Sequence, residues 1–189
     1  MQCKTDHKSN QWDPISSKWS LCILCYVSSV SCNQISLIIS ACCRFEEVAE
    51  LIAVCWLDIA GNIELTELSP NTKYAAYLVF RLADESYGLD CPTQEAHIAT
   101  GDHQVAKHTI SMYPRTTQAR EGEQGGRAEE ESTVSYPRER EDDWMEAELG
   151  EFYNHQGDTG VVIFSLVEHV QLHWKKGLML EGIEIRQKN

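Results

Sequence analysis

The sequence predicts an all-β fold built from antiparallel strands. Three apolar runs near the end of the chain, 144–153, 161–170 and 178–185, are separated by short breaks rich in Asn, Gly, Asp and Lys. Breaks of this kind join successive antiparallel strands. A fourth run, 73–82, is rich in aromatic and branched residues, which favour a strand over a helix.

The size and charge of the chain restrict its organisation and its partners. With 189 residues and 42% hydrophobic content, it is expected to form one domain with a sizeable core. Its formal net charge is −13. This charge disfavours nucleic acid and anionic membranes as partners, because both are themselves negatively charged. Neutral ligands are compatible with it.

Residues 1–43 differ in character from the rest of the chain. Six of the eight cysteines lie there, and this uneven distribution is not that of a disulfide framework. Cys22 and Cys25 form a CxxC pair, but a zinc site would need a second pair at comparable spacing. We therefore expect reduced cysteines, no metal and no cofactor. The expected location is the cytoplasm, with the nucleus as a second candidate compartment.

The segment 20–43 contains no charged residue and could be interpreted as a membrane span or a signal region. Six serines together with Asn33 and Gln34 make it less hydrophobic than a typical span. A signal peptide should also begin nearer the N-terminus. Membrane association is therefore the weaker alternative.

From Arg44 onward the elements can be predicted in order. Arg44 could begin a short helical turn, after which residues 51–59 are apolar at both alternating positions. A strand buried on both faces has this pattern. Turns are predicted at 60–62 and 69–71, the second with Pro70 in the first central position.

The run 73–82 is expected to be a central strand, with Tyr74 and the alternate residues after it on one face. A loop is predicted at 86–92 and a short strand at 96–99. His97, His103 and His108 are interpreted as exposed loop residues. No complete metal-binding spacing includes them.

A long charged loop is predicted between the middle and the end of the chain. Residues 121–143 carry nine acids and three arginines together with a Gly-Gly pair. Such a composition is typical of a solvated excursion that cannot bury much apolar surface.

Acids at the ends of the last strands are candidate site residues. Val162, Phe164 and Leu166 share an inward face, and Glu168 continues it. Its carboxylate is expected at the mouth of the fold or freed by a bulge. Glu181 raises the same question in the last strand. The alternative for either acid is a rim residue bonded to loop backbone.

Six sequence blocks, taken in order, resemble the plant phloem protein 2 lectin-like family, whose domain also occurs in Nictaba-type lectins. The blocks are CWLDI at 55–59, LSPNTKYAAYLVF at 68–80, DWMEAELGEF at 143–152, FSLVE at 164–168, HWKKGL at 173–178 and EGIEIR at 181–186. Their succession is far more specific than any one of them. The resemblance assigns residues 44–189 to a lectin-like domain and leaves 1–43 as an atypical N-terminal segment or an altered start of that domain.

The resemblance implies a jelly-roll β-sandwich with short helical turns that binds N-acetylglucosamine oligomers or N-glycans without catalysis. In this family two tryptophans seven residues apart stack on the sugar, and Trp12 and Trp19 have that spacing here. Glu168 matches one expected acid of the site. Val161 and Ile163 replace acids found in many members, which implies weakened sugar affinity.

Two functional hypotheses follow from this resemblance. The first is a carbohydrate-binding domain that recognises N-acetylglucosamine-containing glycans through Trp12, Trp19 and Glu168. The second is a protein-interaction module, such as the substrate-recognition part of an F-box-type ubiquitin-ligase adaptor, with ubiquitin-ligase components as partners. No F-box pattern is recognisable in residues 1–43. An enzyme is not expected, because no nucleophile–base pair or metal cluster is evident.

Overall fold

The computed structural model describes residues 11–13, 18–21, 34–38, 48–101, 103–115, 134–171 and 173–188, with the backbone alone in the first three ranges. The strands in these ranges are β1 Gln11–Asp13, β2 Lys18–Leu21, β3 Gln34–Ile38, β4 Val48–Ala53, β5 Leu57–Glu64, β6 Thr72–Tyr87, β7 Gln94–Thr100, β8 His103–Ile110, β9 Val134–Ser135, β10 Arg138–Glu139, β11 Met145–Asn154, β12 Val161–Glu168 and β13 Lys176–Gln187. One 3-10 turn, Leu65–Glu67, follows β5.

These strands form two sheets, which confirms the prediction of an all-β sandwich. Sheet A has the order β1-β2-β13-β6-β11-β10, and β4 pairs with both β3 and β13. Sheet B has the order β5-β12-β7-β8-β9. Adjacent strands are antiparallel except β8 and β9. Apolar side chains from both sheets, among them Leu78 and Phe80 of sheet A and Phe164 and Ile98 of sheet B, form one core.

The strands β6 and β13 are the centre of sheet A. The predicted central strand at 73–82 is confirmed within β6, which lies between β13 and β11. On the face that begins with Tyr74, the side chains of Tyr74, Ala76, Leu78 and Phe80 are fully or almost fully buried. β13 pairs with β6 along most of its length. The opposite edge of β13 is divided between β4 near its start and β2 near its end.

The single strand predicted at 51–59 is wrong. The chain leaves sheet A after β4 and enters sheet B with β5, so the two halves of this run belong to different sheets. Between them Val54 pairs as an isolated bridge with Lys175, and Trp56 is 40% exposed. The run is apolar at both alternating sets of positions because its first half contributes to the core from sheet A and its second half from sheet B. A single strand buried on both faces would have the same sequence pattern.

The turn predicted at 60–62 is also wrong, because these residues lie inside β5. Gly61 is favoured there by close packing rather than by a turn. A Cβ atom at this position would lie 2.9 Å from Cδ1 of Ile183 in the opposite sheet. Glycine therefore lets sheet B approach sheet A closely at this point.

Most of the other predicted elements are observed. The three strands near the end of the chain are confirmed as β11, β12 and β13, and the short strand at 96–99 as part of β7. The turn at 69–71 is confirmed, with Asn71 at a φ of 52°. The loop predicted from 86 begins at Gly88, because β6 extends to Tyr87.

The loop assignment of three histidines is wrong, since His97 lies in β7 and both His103 and His108 lie in β8. In these two strands the many polar residues on the outer face make the alternation of apolar and polar positions hard to recognise in the sequence. The turn at Arg44 and most of the charged loop lie outside the described residues. In the part of the chain that the structure describes, no helix has the length and apolarity needed to cross a membrane.

Candidate functional site

The two predicted sugar-stacking tryptophans belong to the strand pair at the edge of sheet A. Trp12 in β1 and Trp19 in β2 are direct cross-strand partners. Trp19 is in turn the partner of Ile185 in β13, a fully buried core residue.

Glu168 lies at the opposite end of the fold, where β12 ends. Its strand pairs regularly as far as Leu57, so no bulge redirects the residue. Its side chain is 2% exposed and forms an ion pair with the fully buried ammonium of Lys175. Its Oε1 accepts hydrogen bonds from the backbone N–H groups of Val170 and Gln171, both at 2.8 Å. Glu168 is therefore bonded to loop backbone, the alternative considered for this acid.

Glu181 is the second candidate acid, and it lies in a bulge, one of the arrangements predicted for such an acid. The register of β13 against β6 shifts between Leu180 and Gly182, which places Glu181 in a bulge. The residue is 5% exposed.

Lys175 was not predicted from the sequence, and it is the centre of this end of the fold. Its Nζ donates hydrogen bonds to the carbonyl oxygens of Cys55 at 2.8 Å, Gln171 at 3.2 Å and His173 at 3.3 Å. Its backbone exchanges two hydrogen bonds with Val54. We call Lys175, Glu168 and these three carbonyls the Lys175 cluster. The sequence signal for this cluster is an inward-facing acid at the end of a strand, Glu168, followed by a lysine in the next loop.

The Lys175 cluster holds together loops that would otherwise be independent. Burial alone would raise the pKa of Glu168, but the hydrogen bond from Lys175 and the N–H of Gln171 outweigh it and lower that pKa. The carboxylate therefore stays ionised at neutral pH and keeps its partner. We call the region formed by loops 54–56, 88–93 and 169–175 the loop end of the sandwich.

The structure does not bring the three predicted site residues together. Trp19 is in register with Ile185, whereas Glu168 is bonded to Lys175, and these two partners are ten residues apart on the same chain segment. At about 3.3 Å per residue, the separation along the strand is roughly 30 Å. Trp12 and Trp19 are paired with each other, and Glu168 is remote from both.

A second charged cluster lies on sheet A, on the face away from the core. Arg140 donates to Glu146 at 3.2 Å and to Glu184 at 3.3 Å. Arg186 donates to Glu146 at 3.1 Å and to Glu184 at 3.0 Å. The four side chains form a closed arrangement of alternating charge, the arginine–glutamate ring.

The ring is held tightly by its own electrostatics. Burial would raise the pKa of Glu184, but hydrogen bonds from Arg186 and Arg140 outweigh it and lower that pKa. The guanidinium of Arg186 also lies 4.4 Å from the ring centre of Tyr77. Each charge is satisfied within the ring, which suits a structural role better than ligand binding.

Catalytic or metal chemistry finds little support in these clusters. Among the residues that the structure describes, no three His, Cys, Asp or Glu side chains are grouped as metal ligands would be. Cys55 and Cys91, the cysteines in the described ranges, are free thiols.

Comparison with known proteins identifies the family. The family model for phloem protein 2 matches residues 20–187, nearly the whole chain. The chain belongs to the phloem protein 2 family. Three similar proteins of Arabidopsis thaliana are putative F-box protein PP2-B2, F-box protein PP2-B10 and F-box protein VBF.

The phloem protein 2 domain of this chain is 38% identical to the first of these over 144 residues, 38% to the second over 145 and 35% to the third over 158. The matches cover 76%, 76% and 77% of this chain, but 44%, 49% and 56% of the respective relatives. The chain thus spans about half the length of the curated relatives it matches. The family match begins at residue 20, within β2, and includes β3.

Proposed function

We propose that this phloem protein 2 domain is a non-catalytic carbohydrate-binding domain that recognises N-acetylglucosamine oligomers or the N-acetylglucosamine core of N-glycans. The observation that supports it is the direct cross-strand pairing of Trp12 with Trp19. Two aromatic residues at paired positions of neighbouring strands have a spacing suited to stacking on successive apolar sugar faces. The net charge of −13 is compatible with a neutral ligand.

Calorimetric titration of the full chain with tri-N-acetylchitotriose tests the proposal. Wild type should bind, and Trp19→Ala should weaken binding by about tenfold or more, since one stacking ring is lost. Tyr136→Ala is the matched control, because it removes an exposed aromatic ring from a segment remote in sequence from β1 and β2. The absence of binding heat with folded wild type would refute the proposal.

Glu168 has a different role in this proposal from the one that the resemblance implies. Since both carboxylate oxygens are engaged by Lys175 and loop N–H groups, and the residue is remote from the tryptophan pair, Glu168 would stabilise the loops rather than contact the sugar there. Glu168→Gln is therefore expected to lower stability more than affinity at the tryptophan pair, whereas Trp19→Ala is expected to lower that affinity.

The second candidate is a substrate-recognition domain of an F-box-type ubiquitin-ligase adaptor. It is favoured by the names of the relatives, which are F-box proteins about twice as long as the matched region. Affinity capture from a plant extract, before and after enzymatic removal of N-glycans, separates the two functions. Partners lost on deglycosylation support the lectin; partners retained, with ubiquitin-ligase components among them, support the adaptor.

A further inference from the structure

Three exposed apolar side chains surround the Lys175 cluster. Trp56 is 40% exposed, Trp174 is 43% exposed and Val170 is 85% exposed. Exposed apolar side chains can mark a binding surface when they are grouped on one part of the molecule. We call these three residues the loop-end patch.

One ammonium group positions all three members of the patch. The carbonyls that accept hydrogen bonds from Lys175 belong to Cys55, Gln171 and His173. Each of these is the immediate chain neighbour of one patch residue: Cys55 precedes Trp56, Val170 precedes Gln171, and His173 precedes Trp174. The three patch backbones therefore converge on a single nitrogen.

The way in which the loops are held indicates that their conformation matters. An apolar plug at this position would serve stability at least as well as a buried ion pair does. The ion pair instead fixes three separate backbone positions through directional hydrogen bonds. Preorganised loops that carry exposed rings lose little conformational entropy when a ligand binds.

The surroundings of the patch favour a neutral ligand. The His169 ring lies 6.0 Å from the Trp56 ring and 4.0 Å from the carboxylate of Asp58, and Lys176 is paired with Glu85 at 3.2 Å. These two basic side chains thus face acids of the same chain. Together with the overall charge of −13, this disfavours an anionic ligand.

The size of the patch favours a small ligand over a protein partner. Three side chains cannot supply the roughly 800 Å² per partner that a stable protein interface buries. Half-exposed indole rings do suit the apolar face of a sugar, and the nearby Asp58 carboxylate can accept hydrogen bonds from hydroxyls.

We propose that the loop-end patch is a saccharide-binding site for a neutral N-acetylated sugar, separate from the tryptophan pair of β1 and β2. This inference rests on the proposed lectin function and adds a second site roughly 30 Å away along β13. Lys175 and Glu168 are its positioning residues, since neither offers a free group to the ligand.

Fluorine NMR of the full chain labelled with 5-fluorotryptophan tests this site. The chain has five tryptophans, and each resonance can be assigned from the corresponding Trp→Phe variant. On addition of tri-N-acetylchitotriose, the Trp56 and Trp174 resonances should shift saturably. Trp144, which is 6% exposed, should not shift.

Variants sharpen the test. Trp174→Ala should weaken the affinity reported by the Trp56 resonance by about tenfold, and Trp56→Ala should do the same to the Trp174 resonance. Tyr153→Ala removes a ring of similar exposure, 43%, from β11 and should change neither. Because the wild-type shifts alone can decide the matter, a variant that fails to fold does not leave the site untested.

The outcomes separate this inference from the proposed function. Shifts confined to Trp12 and Trp19 would overturn the loop-end site and leave the lectin function standing. No saturable shift at any tryptophan would overturn both. Shifts at Trp56 and Trp174 caused by an unglycosylated apolar peptide, with none caused by the sugar, would mark the patch as a peptide site and overturn the proposal.

Discussion

The Lys175 cluster and the arginine–glutamate ring both bury glutamates beside basic groups, but they connect different kinds of structure. Lys175 is bonded mainly to backbone carbonyls of loops, and its partner Glu168 is bonded to loop N–H groups. The ring is bonded side chain to side chain across strands of one sheet. The cluster thus fixes the course of loops, whereas the ring reinforces a sheet that is already paired.

This difference implies that loss of a single partner has unequal consequences in the two places. Lys175 is fully buried and serves three carbonyls and one carboxylate, and no other described side chain shares that set. In the ring each acid has two arginines, so one contact survives the loss of the other. We therefore expect the cluster to be the more fragile of the two.

Lys175→Met should cause the largest loss. It leaves the Glu168 carboxylate buried without its cation, which typically lowers the free energy of unfolding by about 3–5 kcal/mol. Urea unfolding at pH 7 measures it. Lys73→Met removes a half-exposed partner of Glu151 and should change stability by less than about 1 kcal/mol. Equal losses in the two variants would contradict the role given to the cluster.

Gly88→Ala should come next and act on the loop end alone. A Cβ atom there would lie 2.2 Å from the carbonyl oxygen of Trp174, and the φ of Gly88 is +72°. We expect a loss of about 3 kcal/mol from backbone displacement and strain. Gly157→Ala has a similar φ of +89° with no atom within 4 Å, so it isolates the strain, about 1 kcal/mol. Thermal unfolding of both variants separates the cost of the steric clash with Trp174 from the cost of the positive φ.

Glu184→Gln should have a smaller effect in the ring. The amide keeps the shape and one acceptor oxygen but loses the charge that both arginines share, so we expect a loss of about 1.5 kcal/mol. Glu148→Gln, at a site where the partner Lys188 is 38% exposed, is the control and should fall within about 0.5 kcal/mol of wild type. A loss at Glu184 as large as that of Lys175→Met would remove the contrast between the two clusters.

The pH dependence of stability should be the smallest effect and common to both clusters. The pKa values of Glu168 and Glu184 are lowered from the ordinary glutamate value of 4.5. Their contribution is therefore complete above about pH 4.5 and is lost as the pH falls through the folded-state pKa values. Denaturant midpoints measured from pH 7 to pH 3 should decrease, and less steeply in Glu184→Gln than in wild type. A midpoint independent of pH in this range would contradict the assignment.

The strands of this fold could be predicted where apolar residues alternate with other residues along a short stretch of the sequence. The runs at 73–82 and 161–170 carry their inward face in every second residue, and the structure places those residues in the core. The break at Val54 could not be predicted. An apolar run buried in one sheet has the same pattern as one that crosses between two, and the break is fixed by pairing with Lys175, far along the chain.

The candidate site was predictable only in part for the same reason. Strand parity placed Glu168 on the inward face, and the structure confirms its burial. Its partner could not be inferred, because Lys175 lies beyond a loop and binds a carbonyl 120 residues away. The ring was missed because its members are 40 and 44 residues apart and only the β11-β6-β13 order brings them together.

The late position of β13 has a consequence for synthesis of the protein. This strand joins β2, β4 and β6, yet it follows all of them in the chain. While the ribosome is still adding residues before Lys176, each of the three earlier strands has one edge without its final neighbour. Unpaired edges of this kind invite association between chains. A premature stop just upstream of β13 would therefore yield a product prone to aggregation rather than a smaller working domain.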